Sequence, residues 1–186
     1  MTHEPWTHQG LAVEYYFDPQ TEKQILDFRN SIYQQGVRPV LGAMNDRPHI
    51  SLAVFGRVDP QPLVNLSREF SRQLTPFEIQ LSAIGVFPTE DNVLFLIPAA
   101  NSRLLQVHTE FHELLKQEHI VCSPLYLPGN WVPHCTLEFD LSKAQLKKAL
   151  QLSQAALTPL KGTLVELGVV AFRPITYLAD FKLGVE

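Results

Sequence analysis

The chain has 186 residues, 45% of them apolar, which is enough to bury a core of its own, and only 18% charged. A net charge of −4, with no run of like charges, argues against a protein that grips long nucleic acid through many phosphates, and leaves room for a small anion in a local pocket. Two cysteines, Cys122 and Cys135, are too few for a disulfide framework and suit a reducing cytosol.

Residues 1–10 (MTHEPWTHQG) read as a polar tail with no basic and apolar leader pattern, and no stretch reaches the length of a membrane span. A cytoplasmic protein that needs no membrane is expected, with one domain over residues 11–186 acting as a monomer. Leu11–Phe17 (LAVEYYF) is β-prone and stops at Asp18-Pro19, which opens a helix striped by Ile25, Phe28, Ile32 and Tyr33 and closed by Gly36. A loop punctuated by Pro and Gly leads to a strand over His49–Phe55. Asp59-Pro60 opens a helix with Leu63, Leu66, Phe70 and Leu74 on one face, and Phe77–Phe87 is a third strand.

The order then recurs. Asn92–Pro98 is a strand, and Asn101 caps a helix striped by Leu104, Val107, Phe111, Leu114 and Leu115. A second loop rich in Pro and Gly precedes a short strand, His134–Phe139. Ser142 and Gln145 form a capping box for a helix carrying Leu146, Leu150 and Leu157. Leu160–Phe172 and Ile175–Leu183 are the last strands. Ala12 and Val93 stand 81 residues apart, and His49 and His134 stand 85 apart. An internal duplication accounts for this: an α+β fold of two lobes, roughly 11–90 and 91–186, each a mainly antiparallel sheet with outer helices around a central cleft.

At equivalent points the chain reads Pro48-His49-Ile50-Ser51-Leu52 and Pro133-His134-Cys135-Thr136-Leu137. A second such pentad arises by chance with odds of roughly one in a hundred at ordinary composition. Strand periodicity puts His49 with Ser51, and His134 with Thr136, on one face, with Ile50, Leu52, Cys135 and Leu137 on the other. Cys135 therefore reads as core filler and not as a nucleophile. If the halves pack about a pseudo-twofold axis, two imidazoles and two hydroxyls converge on one groove. In-line displacement at phosphorus needs a base for the attacking oxygen and an acid for the departing one, and two histidines supply both. The Ser51 and Thr136 hydroxyls can donate to the non-bridging oxygens. No metal or other cofactor is needed, and near-symmetry leaves either histidine able to act as the base.

The paired H-x-S/T-L signature resembles the 2H phosphoesterase superfamily, and the likeness spans about Leu11 to Leu183. The resemblance implies a two-lobed fold, His49 and His134 as the catalytic pair, Ser51 and Thr136 as phosphate contacts, and action on 2′,3′-cyclic phosphates of nucleotides or RNA ends. It also implies His134 as base and His49 as acid. A 2′,5′-phosphodiesterase or RNA ligase running the same chemistry, and a nucleotide-binding module without turnover, are the alternatives. The expected partner is a small nucleotide or an RNA terminus.

Among the remaining candidates, Arg47 and Arg38 precede the first motif and could contact phosphate, with Arg173 a further candidate from the last strands. Trp131, three residues before His134, has two readings open: a platform for a base, or a loop anchor in the core. His108 and His112 have the i, i+4 spacing of a metal pair but lack a third ligand in sequence, and read as packing or surface residues. His3 and His8 lie in the tail and carry no signal.

Overall fold

The computed structural model describes residues 10–156 and 158–185. His3, His8, Leu157 and all of the expected tail except Gly10 therefore lie outside the described residues. In chain order the elements are β1 (Gly10–Phe17), α1 (Pro19–Gln34), α2 (Val40–Ala43), β2 (His49–Phe55), α3 (Pro60–Gln73), β3 (Phe77–Phe87), β4 (Val93–Pro98), α4 (Ser102–Gln117), β5 (Cys135–Glu138), α5 (Lys143–Ala156), β6 (Leu160–Phe172) and β7 (Thr176–Lys182). A single 3₁₀ turn, Pro124–Tyr126, lies in the loop before β5. Among the described residues no helix is long and apolar enough to cross a membrane.

The helices start where side chains satisfy their free N–H groups. Asp18 accepts from the Gln20 and Thr21 amides, Asp59 from Gln61, and Asn101 from Leu104, with proline in the first turn of α1 and α3. Ser142 Oγ accepts from the Gln145 amide ahead of α5. The short α2, not anticipated in its loop, is held from outside: the buried Glu138 carboxylate of β5 accepts the amides of Val40 and Leu41 at 2.9 and 3.0 Å.

The fold is α+β, and its strands form one sheet in the order β2-β1-β6-β3-β4-β5, with β7 also on β6 and every pairing antiparallel. The repeats exchange their third strands. β1 pairs with β6, not β3, and β4 pairs with β3, not β6; β3 and β6 then pair with each other through Phe77–Leu81 and Leu160–Leu164. The lobes are therefore not the sequence halves 11–90 and 91–186, because each takes its third strand from the other half.

Duplication is written in the irregularities of the sheet. The β1–β2 register slips between Val13 and Glu14, and the β4–β5 register slips between Leu94 and Phe95, 81 residues on. These bulges leave Leu52 and Leu137 as the extra residues, directly after Ser51 and Thr136, where bulges re-aim neighbouring side chains. The third strands match as well: Gly85 opposes Phe95, and Gly168 opposes Glu14.

One face of the sheet carries Leu11, Val13, Tyr15, Phe17, Ile50, Leu52, Cys135, Leu137, Leu167 and Val169, packed with Ile25, Leu63, Phe70, Val107, Phe111 and Ala149 of the helices. Burying each large apolar side chain fully contributes about 1.5–3 kcal/mol. The opposite face is left to the cleft.

Candidate active site

Strand alternation delivers Glu14 of β1, His49 and Ser51 of β2, and His134 and Thr136 at β5 to one cavity of about 300 Å³. A second cavity of about 530 Å³ adjoins it and shares Tyr126, His134, Thr136, Phe139 and Arg173. The paired motifs thus meet across one groove, as their spacing predicts.

Both imidazoles are held in the same way. His49 Nδ1 lies 2.7 Å from the Arg47 carbonyl, and His134 Nδ1 lies 2.7 Å from the Val132 carbonyl. A carbonyl can only accept, so each Nδ1 carries a proton and each Nε2 is the atom free to exchange one.

Their surroundings differ. His49 Nε2 lies 3.3 Å from Glu14 Oε1, and its Nδ1 lies 3.5 Å from Asp46 Oδ1. Burial alone would push His49 down, but the two carboxylates overcome it and hold the imidazole above its ordinary value. Glu14 is itself buried at 7% exposure and accepts the Tyr16 hydroxyl at 3.0 Å. Burial pushes its carboxyl up, and the neighbouring imidazolium opposes that. A side chain on Gly168 would meet the Tyr16 ring, so that glycine makes the room in which Tyr16 reaches Glu14.

His134 packs instead against two phenyl rings, Phe87 edge-on at 4.9 Å and Phe95 tilted at 5.0 Å. Burial, with a smaller contribution from the charge of His49, lowers it below the ordinary histidine value. In repeat register Glu14 opposes Ser51 as Phe95 opposes Thr136, and Asp46 stands where the second repeat has Trp131. The buried carboxylate beside His49 is thus replaced by a phenyl ring beside His134.

Residues 16–173 match the family described as the 2′-5′ RNA ligase superfamily. The chain belongs to this superfamily, the 2H phosphoesterases. Curated protein sequences give no match. Among solved structures, a protein titled only as a phosphoesterase is similar at 20% identity and TM-score 0.64, covering 95% of this chain and 98% of its own. LigT of E. coli, solved with 3′-AMP, is similar at 20% identity and TM-score 0.62, with the same coverage. TT0787 of Thermus thermophilus follows at 18% identity and TM-score 0.60, covering 95% of this chain and 99% of that one. These likenesses show the fold that 2H phosphoesterases share.

Within that 2H phosphoesterase frame, several residues fall elsewhere than the sequence suggested. Arg47 does not line the cavity. Its guanidinium pairs with Glu166 at 2.7 Å and Glu22 at 3.1 Å and lies 4.0 Å over the Tyr16 ring. Two carboxylates hold its charge, so it is not available to a phosphate in the groove. Arg38 pairs with Asp140 on the surface. Arg173 lines both cavities beside Phe139 and, among the described residues, pairs with no carboxylate.

Trp131 is an anchor on two sides. Its indole N–H donates to the Ser51 carbonyl at 3.1 Å, and its ring stacks on His108 at 3.9 Å while also lining the larger cavity. His108 and His112 are buried packing residues, facing the carbonyls of Tyr126 and Leu52. Cys135 is fully buried away from the groove, and burial pushes its thiol up to about 11.

Sequence reading missed Glu14, Asp46 and Arg29. Arg29 is buried in α1, pairs with Asp46 at 3.1 Å and donates to the Thr136 carbonyl. A lone carboxylate inside the apolar strand LAVEYYF was the one available signal for Glu14.

Proposed function

We propose that the protein is a phosphodiesterase that opens 2′,3′-cyclic phosphates of nucleotides or RNA ends, with His134 as general base and His49 as general acid. The observation that carries this reading is the unequal pair of imidazoles on one cavity, each with Nδ1 fixed and Nε2 available. A neutral His134 takes a proton from water as its oxygen attacks phosphorus. The bond from phosphorus to the ribose 3′ oxygen breaks, and the protonated His49 gives its proton to that oxygen. Ser51 and Thr136 donate to the non-bridging oxygens as charge builds there. The product is a 2′-phosphate with a free 3′ hydroxyl, leaving His134 charged and His49 neutral until solvent resets them.

The larger cavity, walled by Phe87, Tyr126, Trp131 and Phe139 with Arg173 at its edge, suits a nucleoside. The 3′-AMP bound to LigT, a protein of this fold, is in keeping with a nucleotide ligand.

Incubation with adenosine 2′,3′-cyclic phosphate should yield adenosine 2′-phosphate, at a rate unchanged by EDTA because side chains supply the acid, the base and the oxyanion donors. The rate should plateau in pH, falling below the lowered value of His134 and above the raised value of His49. His49→Ala and His134→Ala should each lose about a hundredfold or more. A substrate with a nitrophenolate leaving group should partly rescue His49→Ala alone. Near-normal turnover by both variants, or none by the wild type on any cyclic phosphate, would sink the proposal.

A further inference from the structure

Duplication by itself makes two equivalent imidazoles. Equal imidazoles would share one proton evenly, so only part of the population would hold it in the arrangement that a given substrate orientation needs. The geometry around the cavity removes that equivalence at one position of the repeat. Glu14 and Phe95 occupy the same place, on the first strand of each repeat, opposite the hydroxyl residue of the motif and across from a glycine of the third strand. One presents a buried carboxylate oxygen 3.3 Å from the Nε2 of its histidine, and the other presents a phenyl ring.

We propose that Glu14 is a positioning residue that reserves the acid role for His49, while Phe95 at the equivalent place leaves the base role to His134. The proposal rests on the two-histidine reading above. Tyr16 supports it, because its hydroxyl holds the second carboxylate oxygen and leaves the first aimed at the imidazole. The other groups facing His49 do not repeat this contact. Asp46 reaches only Nδ1 and is already paired with Arg29. Arg47 is committed to Glu22 and Glu166, while Tyr177 donates its hydroxyl to the Asn45 carbonyl and accepts the Arg47 amide. Arg173, Tyr126 and His134 line the cavity without contributing negative charge. Among the described residues Glu14 is thus the carboxylate at the nitrogen that transfers the proton.

The test is histidine titration by NMR, alongside pH–rate profiles, on the whole protein. In the wild type His49 should titrate above an ordinary histidine and His134 below it. Glu14→Gln keeps the shape and an acceptor for Tyr16 but removes the charge. It should lower the His49 titration by about one pH unit or more, as loss of an adjacent opposite charge does. The alkaline limb of the rate profile should move down with it and the acidic limb should stay. Turnover of a nitrophenolate substrate should be spared, and Glu14→Asp should restore part of the shift. A merely structural role would lower turnover without moving the alkaline limb. An unmoved His49 titration in Glu14→Gln overturns the proposal. So does a wild type whose two histidines titrate together, a result that needs no variant to fold. If the wild type opens no cyclic phosphate, the functional reading fails while the titrations still decide the role of Glu14.

Discussion

His108 shows how much of this molecule's chemistry is set by one side chain's surroundings. It is 2% exposed, its Nε2 lies 2.9 Å from the Tyr126 carbonyl, and its ring lies flat on Trp131. Burial, with a smaller contribution from His112, lowers it to about 4. The folded value lies below the unfolded one, so the stability this neutral ring contributes is fully present above about pH 6.5. It is lost as pH falls from there toward 4, where the unfolded chain binds a proton and the folded one does not. The integrated effect is up to about 3 kcal/mol. His108→Phe keeps the stack on Trp131 and cannot titrate. Urea midpoints followed by tryptophan fluorescence should therefore fall more steeply between pH 7 and pH 5 in the wild type than in the variant. Equal slopes would show that His108 charges freely in the folded state. At this scale the sequence was legible where residues repeat and misleading where they stand alone. His49 and His134 were found because the pentad occurs twice. Arg47 adjoins a motif in sequence, yet precedes the strand whose alternation aims His49, so its side chain turns to Glu22 and Glu166. Glu14 belongs to no motif, and its role follows only from a register that pairs β1 with β2.

At the scale of elements, the helix starts were legible because Asp-Pro and Asn caps act within three residues of themselves. Not all caps are equal. Among the described residues Asp59 accepts only from Gln61, whereas Asp18 also accepts the Thr21 hydroxyl and, at 2.9 Å, the Thr163 amide of β6. Asp18 therefore both caps α1 and ties its start to the sheet, and burying the Thr163 amide without it would leave a donor unsatisfied. Asp18→Ala should cost about 2 kcal/mol and Asp59→Ala about 1 kcal/mol by chemical denaturation. Equal costs would mean that the link to β6 contributes nothing beyond the cap. What sequence did not reveal at this scale depends on distant partners. The four residues of α2 are too few to show a period, and the amides at its start are satisfied by Glu138, almost a hundred residues on. The bulges after Ser51 and Thr136 leave no mark in an apolar Leu.

For the whole molecule, duplication was legible but strand exchange was not, because the hydrophobic pattern of a strand says which face is buried and not which neighbour it pairs with. The exchange has a physical consequence. Without β6, strand β1 would become an open edge although every one of its residues is buried, and without β4, strand β3 would lose the partner of its Leu81–Phe87 end. The site is cross-linked in the same sense. Arg29 from the first repeat donates to the Thr136 carbonyl of the second, and Trp131 from the second donates to the Ser51 carbonyl of the first. Each motif strand is thus held by a side chain from the other repeat. Expressed separately, residues 1–90 and 91–186 should each lack a cooperative unfolding transition by circular dichroism. Expressed together, cut only at the turn between β3 and β4, they should assemble, because that turn carries none of these links. The assembled pair should give one transition, with the tryptophan signal and the secondary structure lost together. A cooperative transition in the isolated 1–90 fragment would mean that β3 can return to β1 within its own repeat, and that the exchange is one of two arrangements of nearly equal stability.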